Sequence, residues 1–301
     1  MKSGITRIFW MIPIGFLLLS AGCETTIDFV SKAQPKLTII SQITPVGWNE
    51  AQRVYVYASQ SPSDSSLFYT PDNLEVFVTE VESGITIQLK SVTEDGKTFY
   101  KIPDGFLKAR LNYTILAQAT GFDDVQANTF IPSPSTIADL SIKTISIIQS
   151  ELNEFKKNIR YTLQFNINHI EPNRYYHLVF YNSYEGLVKL YLVDPELSDH
   201  QLFIKHYDYG VLIDRNDLTP DQLLTFDFVD WTVDGHELKN VFIELRSITE
   251  EYYKYHSSLA RQLIVRQDPF AEPVTIFNNI RGGYGNFSGF AMDVDSSALH
   301  N

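Results

Sequence analysis

Seven histidines, one cysteine and a group of aspartates around Gly235 are the side chains of this chain best suited to metal ligation or nucleophilic chemistry. The histidines are His169, His177, His200, His206, His236, His256 and His300. None begins a His-Glu-x-x-His pair, which would set two imidazoles on one helical face, so a zinc protease is not indicated. His200 and His206 would share a face of an extended segment, and His236-Glu237 follows. Histidines scattered in this way are expected on strands and loops, not as ligands. Asp227, Asp230 and Asp234 with Gly235 make an acidic patch of the kind calcium favours. They lack the alternating Asp/Asn spacing of a calcium loop, and a solvated turn is the expectation. A Gly-x-Ser-x-Gly nucleophile elbow is missing from the sequence. The carboxylates nominate no glycosidase pair, because separation in space decides that reaction. These residues predict no catalytic site, no metal and no cofactor.

The remaining candidate is Cys23, which closes a leader. Lys2 and Arg7 precede an apolar run from Ile8 to Ala21, and Gly22 separates that run from the thiol. A basic start, a short apolar stretch and small residues before a cut predict a secretory signal over residues 1–22. The run falls short of the roughly 20 residues a bilayer-spanning helix needs. Ser20-Ala21-Gly22-Cys23 resembles the lipobox of bacterial lipoproteins, where the thiol takes a diacylglycerol and the chain is cut before the cysteine. Small residues fit the peptidase cleft, and only a thiol forms the thioether. Ser20 departs from the pattern, in which leucine is commoner. Cys23 is the only cysteine, so its lipidation would leave no thiol for a disulfide or a metal, and stability would rest on core burial.

Losing Lys2 and Arg7 with the leader takes the formal net charge from −12 to −14. That balance argues against nucleic acid, whose binding rewards basic patches, and against docking on anionic headgroups. Attachment to a membrane would then depend on the acyl chains themselves, two or three of which hold far better than one.

Behind the cysteine, residues 23–35 show no period and are expected to act as a tether. Strand-like runs follow at short intervals: Lys36 to Thr44, Arg53 to Ala58, Leu74 to Val81, Ile85 to Val92, Thr98 to Ile102, Asn112 to Ala119 and Val125 to Ile131. Asp95-Gly96 between two such runs is a hairpin signal. The expectation is an all-β chain that opens with an immunoglobulin- or fibronectin-like sandwich over 36–131. Pro132 and Pro134 favour an extended link over 132–136. A second, larger β domain is expected over 137–292, with strand-like runs near Ile142–Ile148, Arg160–Ile167, Tyr175–Tyr181, Val188–Val193, Leu202–Tyr207, Leu223–Val229 and Asn240–Leu245.

One helix is predicted over 248–265. Ser247-x-x-Glu250 fits a capping box, and Ile248, Tyr252, Tyr255, Leu259 and Leu263 recur at helical spacing. Asp268-Pro269 and Glu272-Pro273 end it. Gly282-Gly283-Tyr284-Gly285 is expected to be a tight turn between closing strands, since it lacks the lysine and hydroxyl of a phosphate loop. Residues 293–301 are expected to be a polar tail. Of 17 tyrosines, 11 lie between Tyr161 and Tyr255. Half-buried strand positions account for them, although Tyr181, Tyr184, Tyr191, Tyr207 and Tyr209 would also suit a protein interface.

Cys23-Glu24, the first strand Lys36-Leu-Thr-Ile-Ile, Tyr113-Thr114 to Ala117 ahead of Ile131-Pro132, Asp268-Pro269-Phe270 with Glu272-Pro273, and Asn278-Asn279-Ile280-Arg281-Gly282-Gly283-Tyr284-Gly285-Asn286-Phe287 together resemble one group. It is the Bacteroidota outer-membrane lipoprotein family filed as a domain of unknown function, commonly encoded beside SusC-like TonB-dependent transporters. The resemblance spans nearly the whole mature chain and is sharpest at its C-terminal part. It implies an outer-membrane address and a TonB-dependent transporter as partner; with the lipid at Cys23 the expected location is the cell surface, the periplasmic face being the alternative. It carries over no catalytic residue. The expected function is a non-enzymatic accessory to substrate capture or gating, and the rival is a free-standing surface binder of glycan or protein.

Overall fold

The computed structural model describes residues 34–46, 52–59, 69–149, 157–168, 174–196, 203–205, 210–214, 216–219, 222–232, 235–266 and 270–298. In the first part of the chain eight strands form: β1 (Leu37–Ile43), β2 (Arg53–Ala58), β3 (Glu75–Glu80), β4 (Ile85–Gln88), β5 (Lys90–Glu94), β6 (Lys97–Lys101), β7 (Asn112–Gln118) and β8 (Val125–Phe130). Alternation causes them: in β1, Leu37, Ile39, Ser41 and Ile43 are buried, and the residues between them are half-exposed. Asp95 and Gly96 both take positive φ at the β5–β6 turn, as a tight hairpin requires.

The second part supplies β9 (Thr136–Gln149), β10 (Lys157–Asn168), β11 (Tyr175–Tyr184), β12 (Tyr191–Val193), β13 (Phe203–Lys205), β14 (Val211–Ile213), β15 (Leu224–Trp231), β16 (Leu238–Ile248), the helix α1 (Glu250–Val265) and β17 (Tyr284–Ala298). The fold is all-β in character, and α1 is the one α-helix among the described residues. No described helix is long and apolar enough to cross a membrane.

Among the described residues, three sheets enclose two cores. A ten-stranded sheet runs in the order β13-β14-β11-β16-β17-β1-β2-β6-β5, with β12 added on β11. A four-stranded sheet, β4-β3-β7-β8, packs on the β1 side, and a three-stranded sheet, β15-β10-β9, on the β11 side. Between the first pair lie Leu37, Ile39, Val54, Val76, Tyr113, Ile115 and their neighbours. Between the second pair lie Tyr161, Phe165, Leu178, Phe180, Phe228 and Ile243. The chain passes from one core to the other through Pro132–Ser135, where the Ser135 amide donates to Ser247 Oγ at 2.9 Å.

β17 joins the two. Its first half pairs in parallel with β1, Ile39 opposite Gly285, and contributes Phe287 and Ala291 to the first core. Its second half pairs antiparallel with β16 as far as Ala298. Residues 293–298, expected as part of a tail, are therefore strand. Backbone pairing with β16 does not depend on their polar side chains, and Asp293 even accepts the Ile137 amide at 3.0 Å.

The helix begins later than the capping-box pattern implied. Ser247 and Ile248 end β16, and Thr249 is the N-cap, its hydroxyl accepting from the Tyr252 amide at 3.4 Å. Glu250 and Glu251 occupy the first turn, where the helix dipole favours them. The buried face is Tyr252, His256, Ser257 and Ala260, whereas Tyr255, Leu259 and Leu263 are half-buried. α1 lies on the outer face of the large sheet, with Tyr252 packed among Tyr175, Leu212, Ile248 and Phe290.

Candidate functional site

Under the N-terminal turn of α1, the outer face of the large sheet carries a connected group of polar side chains. On β16, Glu244 and Arg246 are two residues apart and so share a face, opposite the aliphatic Val241, Ile243 and Leu245. The Glu244 side chain is 1% exposed and Arg246 19%. Arg246 Nε donates to Glu244 Oε1 at 2.5 Å, and Tyr181 of β11 donates its hydroxyl to Glu244 Oε2 at 3.2 Å. Arg246 Nη1 donates to the Tyr252 hydroxyl at 3.1 Å, and that hydroxyl lies 2.9 Å from Nδ1 of the buried His177. The guanidinium also sits over the Phe290 ring at 5.1 Å. Four residues along α1, the His256 ring is tilted against Tyr252, 4.4 Å between centroids, and meets the Gln42 amide of β1 at 2.6 Å.

Electrostatics fix the charges. Burial works against the Arg246 cation, but Tyr252 and Glu244 more than offset it, so its pKa is raised. Burial, followed by the Glu244 carboxylate, pushes the Tyr181 phenol up. Each of these groups points at another, so together they tie α1 to β11, β16 and β1.

A second polar group borders the core between the large sheet and β15-β10-β9. Asp230 accepts from Asn182 and Tyr184, and Tyr161 donates to Asn182 Oδ1 at 2.9 Å. Burial raises Tyr161 and Tyr184, the latter further because its hydroxyl is bound to the Asp230 carboxylate. Burial, and then Asp214, pushes Tyr253 up to about 12. The unfolded phenol ionises near 10, so the folded chain is favoured in full below pH 10 and loses that advantage as pH climbs from there. The expected outcome is a fold that holds at pH 9 and unfolds cooperatively above pH 10, with tyrosinate absorbance rising together with the loss of circular dichroism. Early tyrosinate formation in a chain that stays folded would contradict these burials.

The residues singled out in the sequence fare unevenly. Asp227 faces outward and accepts from Thr162, whereas Asp230 pairs with the inward position of Ile159, so the two cannot share a cation. Asp234, His169, His200, His206, His300, Tyr207, Tyr209 and Cys23 lie outside the described residues. His236 stands beside Gly186, 3.6 Å from where a side chain there would begin. Among the described residues no group of three His, Cys, Asp or Glu is placed to hold a metal. Tyr184 is 2% exposed and engaged with Asp230, so it offers no interface; Tyr181 and Tyr191 are half-buried.

The C-terminal motif organises β17. Asn279 accepts the Phe287 amide at 3.0 Å and donates to the Phe287 carbonyl at 2.8 Å, imitating a strand partner. Asn278 accepts the Ile280 amide at 3.1 Å and donates to the Gly283 carbonyl at 3.0 Å. Gly282 turns at positive φ, but Gly283 and Gly285 are there for close approach: side chains would meet the Leu37 and Ile39 carbonyls at 2.2 and 1.9 Å. The expected turn between two strands is instead a non-strand strap leading into a parallel pair. The strap is tied to α1, with the Val274 amide donating to Gln262 and the Phe277 amide to Ser258.

Fold and site together define a two-core β protein whose most distinctive sequence stretch uses its asparagine side chains to hold backbone. The family model for a domain of unknown function, DUF4249, matches residues 24–295, and the chain belongs to that family. No curated protein matches the chain.

Proposed function

We propose that this chain is a lipid-anchored outer-membrane protein that serves a SusC-like TonB-dependent transporter by contact, in substrate capture or gating, without catalysing a reaction. The observation that carries this reading is Cys23. It is the only thiol, follows Ser20-Ala21-Gly22 at the end of a short apolar run, and stands one residue ahead of the point where the family domain begins. A chain cut before Cys23 would start at its lipid and continue at once into that domain. The polar cluster beneath α1 has its groups engaged with one another and supports the fold, so it nominates no reacting group. The transporter as partner follows from the resemblance set out above.

Two measurements test the proposal. Mass spectrometry of the mature protein is expected to find a diacylglyceryl-modified amino terminus at Cys23, lost with membrane partition in Cys23→Ala. Purification in mild detergent is expected to bring a TonB-dependent barrel with the tagged protein. An unmodified terminus removes the anchor, and recovery without any barrel removes the transporter.

A further inference from the structure

The body has two unlike ends, and β17 measures the distance between them. Its 15 residues, Tyr284 to Ala298, span about 46 Å at the usual strand rise. The chain enters the body at one of those ends: β1 starts at Leu37, and Thr38 stands opposite Tyr284. Cys23 is joined to Lys36 by residues 24–35, a connection that whatever its conformation cannot exceed about 45 Å. The Tyr284 end is thus the part of the body bound closest to Cys23.

That end carries a rim of amphipathic side chains. Tyr284 is 48% exposed, with the Lys36 ammonium 5.5 Å over its ring. Two strands across, Ala58 of β2 is bridged to Tyr69, which is 49% exposed. Arg281, also exposed, adds a second cation beside the Gly282 turn. Tyrosine with an apolar ring and a polar tip suits the level of lipid headgroups, and lysine and arginine reach past it into water. The neighbouring sheet brings Asp72, Glu75, Asp123 and Asp124 to the same end. With those acids present, an anionic surface is disfavoured, and the rim on its own has too little attraction to draw the chain from solution. A lipid held within the tether's reach supplies the local concentration that the rim lacks.

We infer that the Lys36–Tyr69–Tyr284 end rests against a zwitterionic phospholipid surface, so that β17 stands away from the membrane and the far end, around Lys189 and Lys239, is presented outward. This rests on the anchor proposed at Cys23.

The test uses the full lipidated chain in phosphatidylcholine–phosphatidylethanolamine vesicles, with amine acylation read by mass spectrometry. Relative to the Cys23→Ala chain in solution, acylation of Lys36 is expected to fall several-fold while Lys189 and Lys239 are unchanged. In the lipidated Tyr69→Ala/Tyr284→Ala chain, flotation with vesicles is expected to persist and Lys36 to regain its solution rate. Retained flotation with Lys36 acylated at its solution rate in the unsubstituted chain would overturn the inference and leave the anchor standing. Failure to float would overturn the anchor and the inference together. Shielding of Lys36 in Cys23→Ala by a soluble polysaccharide, with none on vesicles, would give the rim to a glycan and likewise overturn it.

Discussion

Gly285→Ala is expected to unfold the protein at physiological temperature, or to cost about 4 kcal/mol or more where it still folds. Gly285 has φ +112°, a conformation that side chains resist, and it faces Ile39 in the parallel pair of β1 and β17. A Cβ would lie 1.9 Å from the Ile39 carbonyl oxygen and 2.8 Å from its carbon. Both are backbone atoms of a buried strand, so no side chain can swing aside to relieve the clash. The two strands must part, and with them the continuity of the large sheet between the cores. Gly84→Ala is the control: it too has positive φ (+70°), but nothing lies within 4 Å of the added carbon. Its expected cost is about 1–2 kcal/mol, from the backbone alone. Urea midpoints of the two variants separate steric exclusion from conformational preference. A Gly285→Ala chain no less stable than Gly84→Ala would mean that β1 and β17 do not meet in this register.

Why that pairing was invisible in the sequence is instructive. Alternation announces which face of a strand is buried, and β1, β2, β3, β7 and β8 could be placed from it within a residue or two. It does not announce a partner 246 residues away, as Ile39 and Gly285 are. The glycines around Tyr284 were visible as special, but close approach and tight turning call for the same residue. Beyond Met292, Asp293, Asp295, Ser296 and Ser297 look like a tail because side chains were the only signal available. Their strand is held by backbone bonds to β16. The helix was legible in extent, but its cap was not, since Ser247 and Thr249 are both good capping residues and the choice is made by Ser135 reaching Ser247.

The polar cluster shows the same limit. Glu244 and Arg246 alternating with Ile243 and Leu245 signal one charged face on a strand, and His256 lies four residues after Tyr252 on the helix. Nothing local says that the strand face and the helix face meet. His177 entered the sequence as one of seven scattered imidazoles, and only the packing of α1 on β11 brings it to Tyr252. The abundance of tyrosine is clearer in retrospect: Tyr113, Tyr161, Tyr176, Tyr184 and Tyr252 are core residues whose hydroxyls find partners inside. The sequence has a single cysteine and so no disulfide between its own residues, and such large side chains supply much of the burial the fold needs.

Arg246→Met is expected to destabilise the protein by about 3–5 kcal/mol, because it leaves a carboxylate in a site that excludes water. Glu244 is 1% exposed, and without Arg246 its remaining bond is the one from Tyr181 at 3.2 Å. The methionine fills most of the space over Phe290 but restores no donor. Glu244→Gln combined with Arg246→Met removes both charges, and the pair is expected to recover at least half of the loss, since two buried charges are replaced by groups that cost far less to desolvate. Tyr252→Phe is milder, about 1–3 kcal/mol: it keeps the packing against His256 and Phe290 but strips a partner from both Arg246 and His177. Chemical unfolding of the unsubstituted chain, Glu244→Gln, Arg246→Met and the double variant closes a double-mutant cycle for Glu244 and Arg246. If the single Arg246→Met chain were as stable as the double, Glu244 would have to be reached by water, and the enclosed pair beneath α1 would not exist.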